Sequence, residues 1–135
     1  MKVAVFTGIR DLEVCERPMP VLERPGDVLL QIETVGVCGS DIHYYTEGRI
    51  GGQVIEHPAT LGHECAGTVV EVGSVVAGLE AGQRVAIDPA ISCGQCDQCQ
   101  QGRAHTCRNL QFLGCPGQAP GAAMEYITIA AESCY

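Results

Sequence analysis

Nine cysteines stand in this chain, at positions 15, 38, 65, 93, 96, 99, 107, 115 and 134, and four of them fall between Cys93 and Cys107. No other feature narrows the possible folds as much. An odd count, with no apolar run and cleavage site after Met1, argues against a disulfide scaffold and predicts a reducing, cytoplasmic setting. In such a setting Cys93-x2-Cys96-x2-Cys99-x7-Cys107 reads as a metal loop. Two-residue gaps let tight turns bring adjacent thiolates to about 2.3 Å from one Zn²⁺ ion. Four thiolates close the tetrahedron, so the ion orders a lobe spanning roughly residues 90–110 and leaves no position for chemistry. Two other readings compete. Unligated cysteines would need an apolar setting, and the neighbours Gln95, Asp97, Gln98, Gln100, Gln101 and Arg103 are polar. An iron–sulfur run shares the opening C-x2-C-x2-C, but its fourth cysteine follows after three residues and precedes proline, whereas the gap here is seven.

The rest of the chain reads as strands. Its 135 residues suit one domain, and 46% hydrophobic against 18% charged residues is enough apolar matter for a core. Val28 to Val35 alternates, with Leu30 and Ile32 on one face and Gln31 and Glu33 on the other. Thr68 to Val72 is a second β-branched run, and shorter candidates are Val3–Phe6, Leu12–Cys15, Arg84–Ile87 and Glu125–Ile129. One short helix is predicted from about Ser40 to Thr46, ended by Gly48. Strands at this spacing predict a mainly β domain, a small barrel or sandwich. The formal charge of −8 repels phosphate backbones and anionic lipid. One zinc on four thiolates would take that charge to −10, so a zinc-ribbon reader of nucleic acid is disfavoured further. No uninterrupted apolar run approaches bilayer length, so no membrane role is expected.

A second metal-capable set is dispersed. Cys38-Gly39-Ser40-Asp41-Ile42-His43 follows the long strand, and a helix starting at Ser40 would put Ser40 and His43 on one face beside the Cys38 thiol. A thiolate can hold metal, a hydroxyl can touch a substrate oxygen and an imidazole can carry its proton to solvent. Gly62-His63-Glu64 stands before the second clear strand, offering a metal-ligating imidazole and a carboxylate. A core thiol, a surface histidine and a strand-end histidine are the plain alternatives. Taken together, few ligands beside acid–base groups at strand ends suggest a catalytic metal with an open position. Cys15, Cys65, Cys115 and Cys134 read as small buried hydrophobes or incidental thiols.

These motifs together resemble the N-terminal, GroES-like catalytic domain of zinc-dependent medium-chain alcohol dehydrogenases. Gly62-His63-Glu64-x2-Gly67-x5-Gly73-x2-Val76, Gly36-Val37-Cys38-Gly39-Ser40-Asp41-x-His43 and the four-cysteine lobe carry the likeness, which runs from the first strand to Tyr126. Asp41-Ile42-His43-Tyr44-Tyr45 and Gly48-Arg49-Ile50-Gly51 are similar to the sorbitol, xylitol and iditol dehydrogenases, the polyol branch. The resemblance implies a distorted barrel over residues 1–135 with a projecting zinc lobe. It implies catalytic zinc on Cys38 and His63, with Glu64 as ligand or near-ligand and Asp41 buttressing His63. Ser40 would bond the alcohol oxygen, His43 would continue the proton path, and Tyr44 would line the polyol pocket. The implied reaction is NAD(P)-dependent oxidation of a small alcohol or polyol to the ketone, in a full-length protein that is a homo-oligomer.

Two departures stand out. Gln83 replaces the aspartate of the family's Gly-Asp-Arg-Val turn, and no G-x-G-x-x-G occurs anywhere, so the NAD(P)-binding domain is expected outside this chain. The isolated chain is therefore expected to be inactive. A free-standing structural zinc or interaction module is the alternative, and it would bind one zinc rather than two.

Overall fold

The computed structural model describes residues 1–135. Strand β1 (Lys2–Gly8) turns back on β2 (Asp11–Glu16), and the long β3 (Asp27–Gly36) leads into helix α1 (Gly39–Glu47). A two-residue pair follows, β4 (Arg49–Ile50) and β5 (Gln53–Val54). Next come β6 (Glu64–Val72), β7 (Arg84–Ala86), β8 (Ala90–Ile91), the short helix α2 (Asp97–Gln100), β9 (Gln111–Phe112) and β10 (Tyr126–Ala130). The mainly β expectation holds. Helix α1 covers the predicted span and ends at Gly48, whose φ of 72° takes the left-handed C-cap. The four-residue α2 inside the lobe was not foreseen, because it is too short to show a periodicity.

The central sheet runs in the order β10-β3-β6-β7, antiparallel throughout. Its two edges are both continued. Near β10, Ala4 N–H donates to Ala123 O (2.8 Å) and Glu125 N–H to Lys2 O (3.1 Å), which brings the β1–β2 hairpin alongside. Beside β7, Ala86 and Tyr135 exchange both backbone bonds (2.8 and 3.0 Å) and Asp88 N–H donates to Ser133 O (2.8 Å). Residues 131–135 follow β10 directly, so the chain leaves one edge of the sheet and returns at the other. That return curls the sheet toward closure and removes the exposed edge a flat sheet would carry. This is the distorted barrel that the resemblance implied.

The core follows the strand pattern. Val28, Leu30 and Val69 are essentially inaccessible and pack with Ile127, Ile129, Val85 and Ile87. Full burial of each such side chain stabilises the fold by about 1.5–3 kcal/mol. Gln31 and Glu33 face outward as expected, but Val28, Leu29 and Leu30 are buried in succession. The β3–β6 register also shifts between Leu29 and Leu30, with Val70 of β6 as the extra residue, so the alternation breaks on β6, where Val70 and Glu71 are exposed in succession. A second, smaller cluster of Phe6, Tyr44, Ile55 and Leu61 seats α1 against β1. Burial pushes the Cys65 and Cys134 thiols up to about 11, the behaviour of small hydrophobes. No helix is long and apolar enough to cross a membrane.

Candidate metal centres

The lobe is built locally. Helix α2 starts immediately after Cys96, so Cys96 and Cys99 lie three residues apart on one turn, with their sulfurs 3.5 Å apart. A 3₁₀ turn at Ala104–Thr106 then delivers Cys107, its Sγ 3.9 Å from that of Cys96. All four sulfurs, with Cys93, lie within 4.8 Å of one another. Zinc–sulfur bonds of about 2.3 Å at tetrahedral angles require sulfurs about 3.8 Å apart. The separations of 3.5 and 3.9 Å bracket that value, so the four thiols fit zinc. Cys93 N–H and Asn109 N–H donate to Cys107 Sγ at 3.3 and 3.4 Å. Arg108 grips Asp97 through Nε and Nη2, tying the turn after the last cysteine to α2 and holding the carboxyl down to about 2.

The thiols divide in their acidity. The backbone N–H groups of Arg108 and Cys99 pull Cys96 down to about 6, while burial and the neighbouring thiols drive Cys99 up to about 11. Backbone N–H groups lower Cys93 as well, so the donors favour the thiolate form at Cys93 and Cys96 and burial opposes it at Cys99. A divalent cation at the centre is what would let all four ionise together.

The second set is assembled by the sheet. In the β3–β6 ladder Gly36 pairs with Glu64, so Cys38 lies two residues beyond one strand and His63 one residue before the other. Glu64 therefore belongs to β6 itself, which begins four residues earlier than the β-branched run suggested. One ligand atom each from Cys38, His63 and Glu64 falls within 4.8 Å of the other two. Close approach is possible because Gly36 has no side chain: a Cβ there would sit 2.7 Å from Glu64 Oε2. Buried Asp41 joins the two halves. It accepts Cys38 N–H at 3.0 Å through Oδ2 and presents Oδ1 to His63 Nδ1 at 3.8 Å. With Nδ1 facing a carboxylate, Nε2 is the nitrogen left for a metal. Thiolate, imidazole and carboxylate are a zinc donor set with one tetrahedral position open, so these residues fit zinc as well.

A cavity of about 310 Å³ adjoins His63 and Ser40. Tyr44 lines it, as do Ile50, Gln53, Phe112 and Cys115. Phe112 packs edge-on against the His63 ring, centroids 5.5 Å apart. Tyr44 is raised above the usual phenol range by burial and by the neighbouring Cys115 and Asp41 charges. His43 does not line this cavity. It faces a separate surface recess with Glu47, whose carboxylate lies 3.4 Å from Nδ1, and Ile50 borders both spaces. Cys115, one of the thiols read as small hydrophobes or incidental, forms part of the cavity wall. Neither it nor Gln53 or Phe112 was marked in the sequence, because each sits on a two-residue strand or a loop without periodicity.

Comparison with known proteins bears on the family and the fold. Residues 24–135 match the model of the alcohol dehydrogenase GroES-like domain. The chain belongs to this family. It is 45% identical over 127 residues to a sorbitol dehydrogenase of Bacillus subtilis, covering 94% of this chain and 35% of that protein. A probable D-xylulose reductase A of Neosartorya fischeri is 38% identical over 131 residues, with 97% and 36% covered. The crystal structure of galactitol-1-phosphate dehydrogenase from Escherichia coli superposes with a TM-score of 0.87 at 30% identity, over 100% of this chain and 37% of that one. The chain thus spans about a third of the length of these relatives.

Proposed function

We propose that this chain is the metal-carrying catalytic domain of a zinc-dependent alcohol or polyol dehydrogenase, with NAD(P) held by a domain outside these residues. The observation that carries the reading is the convergence of Cys38, His63 and Glu64 within 4.8 Å, with His63 lining a cavity together with Ser40 and Tyr44. In this reading those three hold the catalytic ion, and Cys93, Cys96, Cys99 and Cys107 hold a structural one.

When bound, zinc supplies Lewis acidity toward the alcohol oxygen, and the nicotinamide supplies the hydride acceptor. The residues of this chain do the rest. Ser40 takes the hydroxyl proton of the substrate within the cavity and releases its own hydroxyl proton onward in the same step. His43, one turn further along α1, receives it and passes it to solvent at the recess shared with Glu47. Asp41 holds the His63 ring in orientation and pins the backbone of Cys38 at the same time. Ile50 and Phe112 exclude water on the apolar side of the cavity. Loss of hydride from the carbinol carbon leaves the ketone, and the partner is accordingly a small alcohol or polyol.

Metal analysis of the zinc-loaded chain tests this. The expected content is two ions per chain, with Cys38→Ser removing one and Cys99→Ser the other. A single ion indifferent to Cys38→Ser would instead make the chain a structural zinc module.

A further inference from the structure

The polar wall of the cavity is organised around one side chain that the ligand set and the proton path leave unused. The Tyr44 hydroxyl donates to Gln53 Oε1 at 2.7 Å, and Gln53 Nε2 donates to Cys115 Sγ at 2.8 Å. A second amide, Gln118 Nε2, donates to the same sulfur at 3.2 Å. Gln53 is thus held from both ends, by a tyrosine that is 5% exposed and by a thiol fixed in its loop. An amide carries two N–H donors and two acceptor lone pairs. These contacts use one of each, so one donor and one acceptor direction remain at the edge of the cavity. Opposite them the lining is apolar, with Ile50, Phe112 and Leu113. The reacting hydroxyl of an alcohol goes to the metal side, where His63 and Ser40 lie. A monohydric alcohol has nothing left to offer Gln53 and would leave its amide desolvated beside hydrocarbon, at a cost in affinity. A polyol has further hydroxyls, and each can both donate and accept.

We propose that Gln53 is a specificity-determining residue, reading a hydroxyl group on the carbon chain beyond the reacting carbinol. This rests on the alcohol-site reading above and names the feature of the substrate that the site selects. Tyr44 and Cys115 are positioning residues here, because they orient the amide through its other two bonds.

The test is a binding measurement on the zinc-loaded chain, with xylitol and 2-propanol as the probes and ¹⁵N-labelled side-chain amides as the readout. Wild type is expected to bind xylitol in preference to 2-propanol, with the Gln53 NH₂ resonances moving on addition of xylitol alone. Gln53→Met, close in shape, and Gln53→Leu should each weaken xylitol binding about 3- to 10-fold, the loss of one hydrogen bond, and leave 2-propanol binding unchanged or tighter. Two variants guard against misfolding of either one, and retention of two zinc ions identifies the folded variant. A xylitol preference that survives both substitutions, or its absence in wild type while both probes bind at the metal, overturns the role of Gln53 and leaves the alcohol site standing. Binding of neither probe by the two-zinc wild type overturns the alcohol site and this inference with it.

Discussion

Asp41 joins the two halves of the proposed open metal site, and Asp41→Asn separates its tasks. The carboxylate is buried, accepts Cys38 N–H at 3.0 Å and faces His63 Nδ1 across 3.8 Å. Asparagine keeps the shape and one acceptor oxygen but loses the charge. A hydrogen bond to a charged group contributes about 1.5–3 kcal/mol and a neutral one about 0.5–1.5, so the cap alone should weaken by about 1–1.5 kcal/mol. An unfolding entropy of about 2.1 cal/mol/K per residue makes roughly 0.28 kcal/mol/K for a chain of 135 residues, so Tm should fall by about 4–5 °C. Loss of the carboxylate behind a ligating imidazole weakens metal binding by about 10- to 100-fold. Competition against a chromophoric chelator measures that loss directly, and calorimetry measures the other. The expected signature is a weakened first-released zinc, an unchanged lobe zinc and a modest fall in Tm. Unchanged zinc affinity at both sites, with only the Tm lowered, would show that Asp41 caps the helix and does nothing for His63.

Three further perturbations bear on other parts of the molecule. Gly36→Ala places a methyl 2.7 Å from Glu64 Oε2, so it should displace that carboxylate and weaken the open site while sparing the lobe, as read by the same chelator competition. Leu30→Ala opens a cavity where the side chain is wholly inaccessible, and a cost of about 2–5 kcal/mol should appear in calorimetry as a fall in Tm of about 7–18 °C. The Cys134 thiol is raised by burial from 9.0 to about 11, so the fold favours its neutral form. That contribution is fully present below pH 9 and fades as pH rises from 9 toward 11. Thermal unfolding across that window should show a decline that Cys134→Ala makes shallower, and an identical slope in the variant would remove the thiol from the account.

The two candidate metal sites were not equally legible in the sequence, and the reason is physical. The lobe is local: its ligands span fifteen positions, and tight turns with a single turn of α2 convert their spacing directly into a cage. The open site is non-local. Cys38 and His63 are visible as candidates, but their meeting depends on which residues of β3 and β6 pair, and no periodicity records that. The cavity wall is less legible still. Gln53 and Cys115 are 62 positions apart, on a two-residue strand and in a loop, and only the closed barrel makes them neighbours. The broken alternation at Val70–Glu71 of β6 has the same origin, because a bulge is a property of two strands and not of one.

That dependence on register can itself be put to a test. Ile32 pairs with Gly67 and Thr34 with the adjacent Ala66, so Glu33 is the extra residue of the second bulge. Its side chain points outward, accepting the Thr68 hydroxyl at 2.6 Å and lying 3.7 Å from Arg84. Deleting Glu33 removes no core side chain, and it removes the unpaired residue itself, so Ile32 and Thr34 become neighbours opposite the adjacent Gly67 and Ala66. The pairs Val35–Cys65 and Gly36–Glu64 are kept, and each side chain stays on its own face. If register places the ligands, the deleted form should still bind two zinc ions, with Cys99→Ser removing the lobe ion and Cys38→Ser the other. Loss of the open-site ion alone would mean that the bend the bulge puts into β3, rather than the register of its pairs, sets where Cys38 lies.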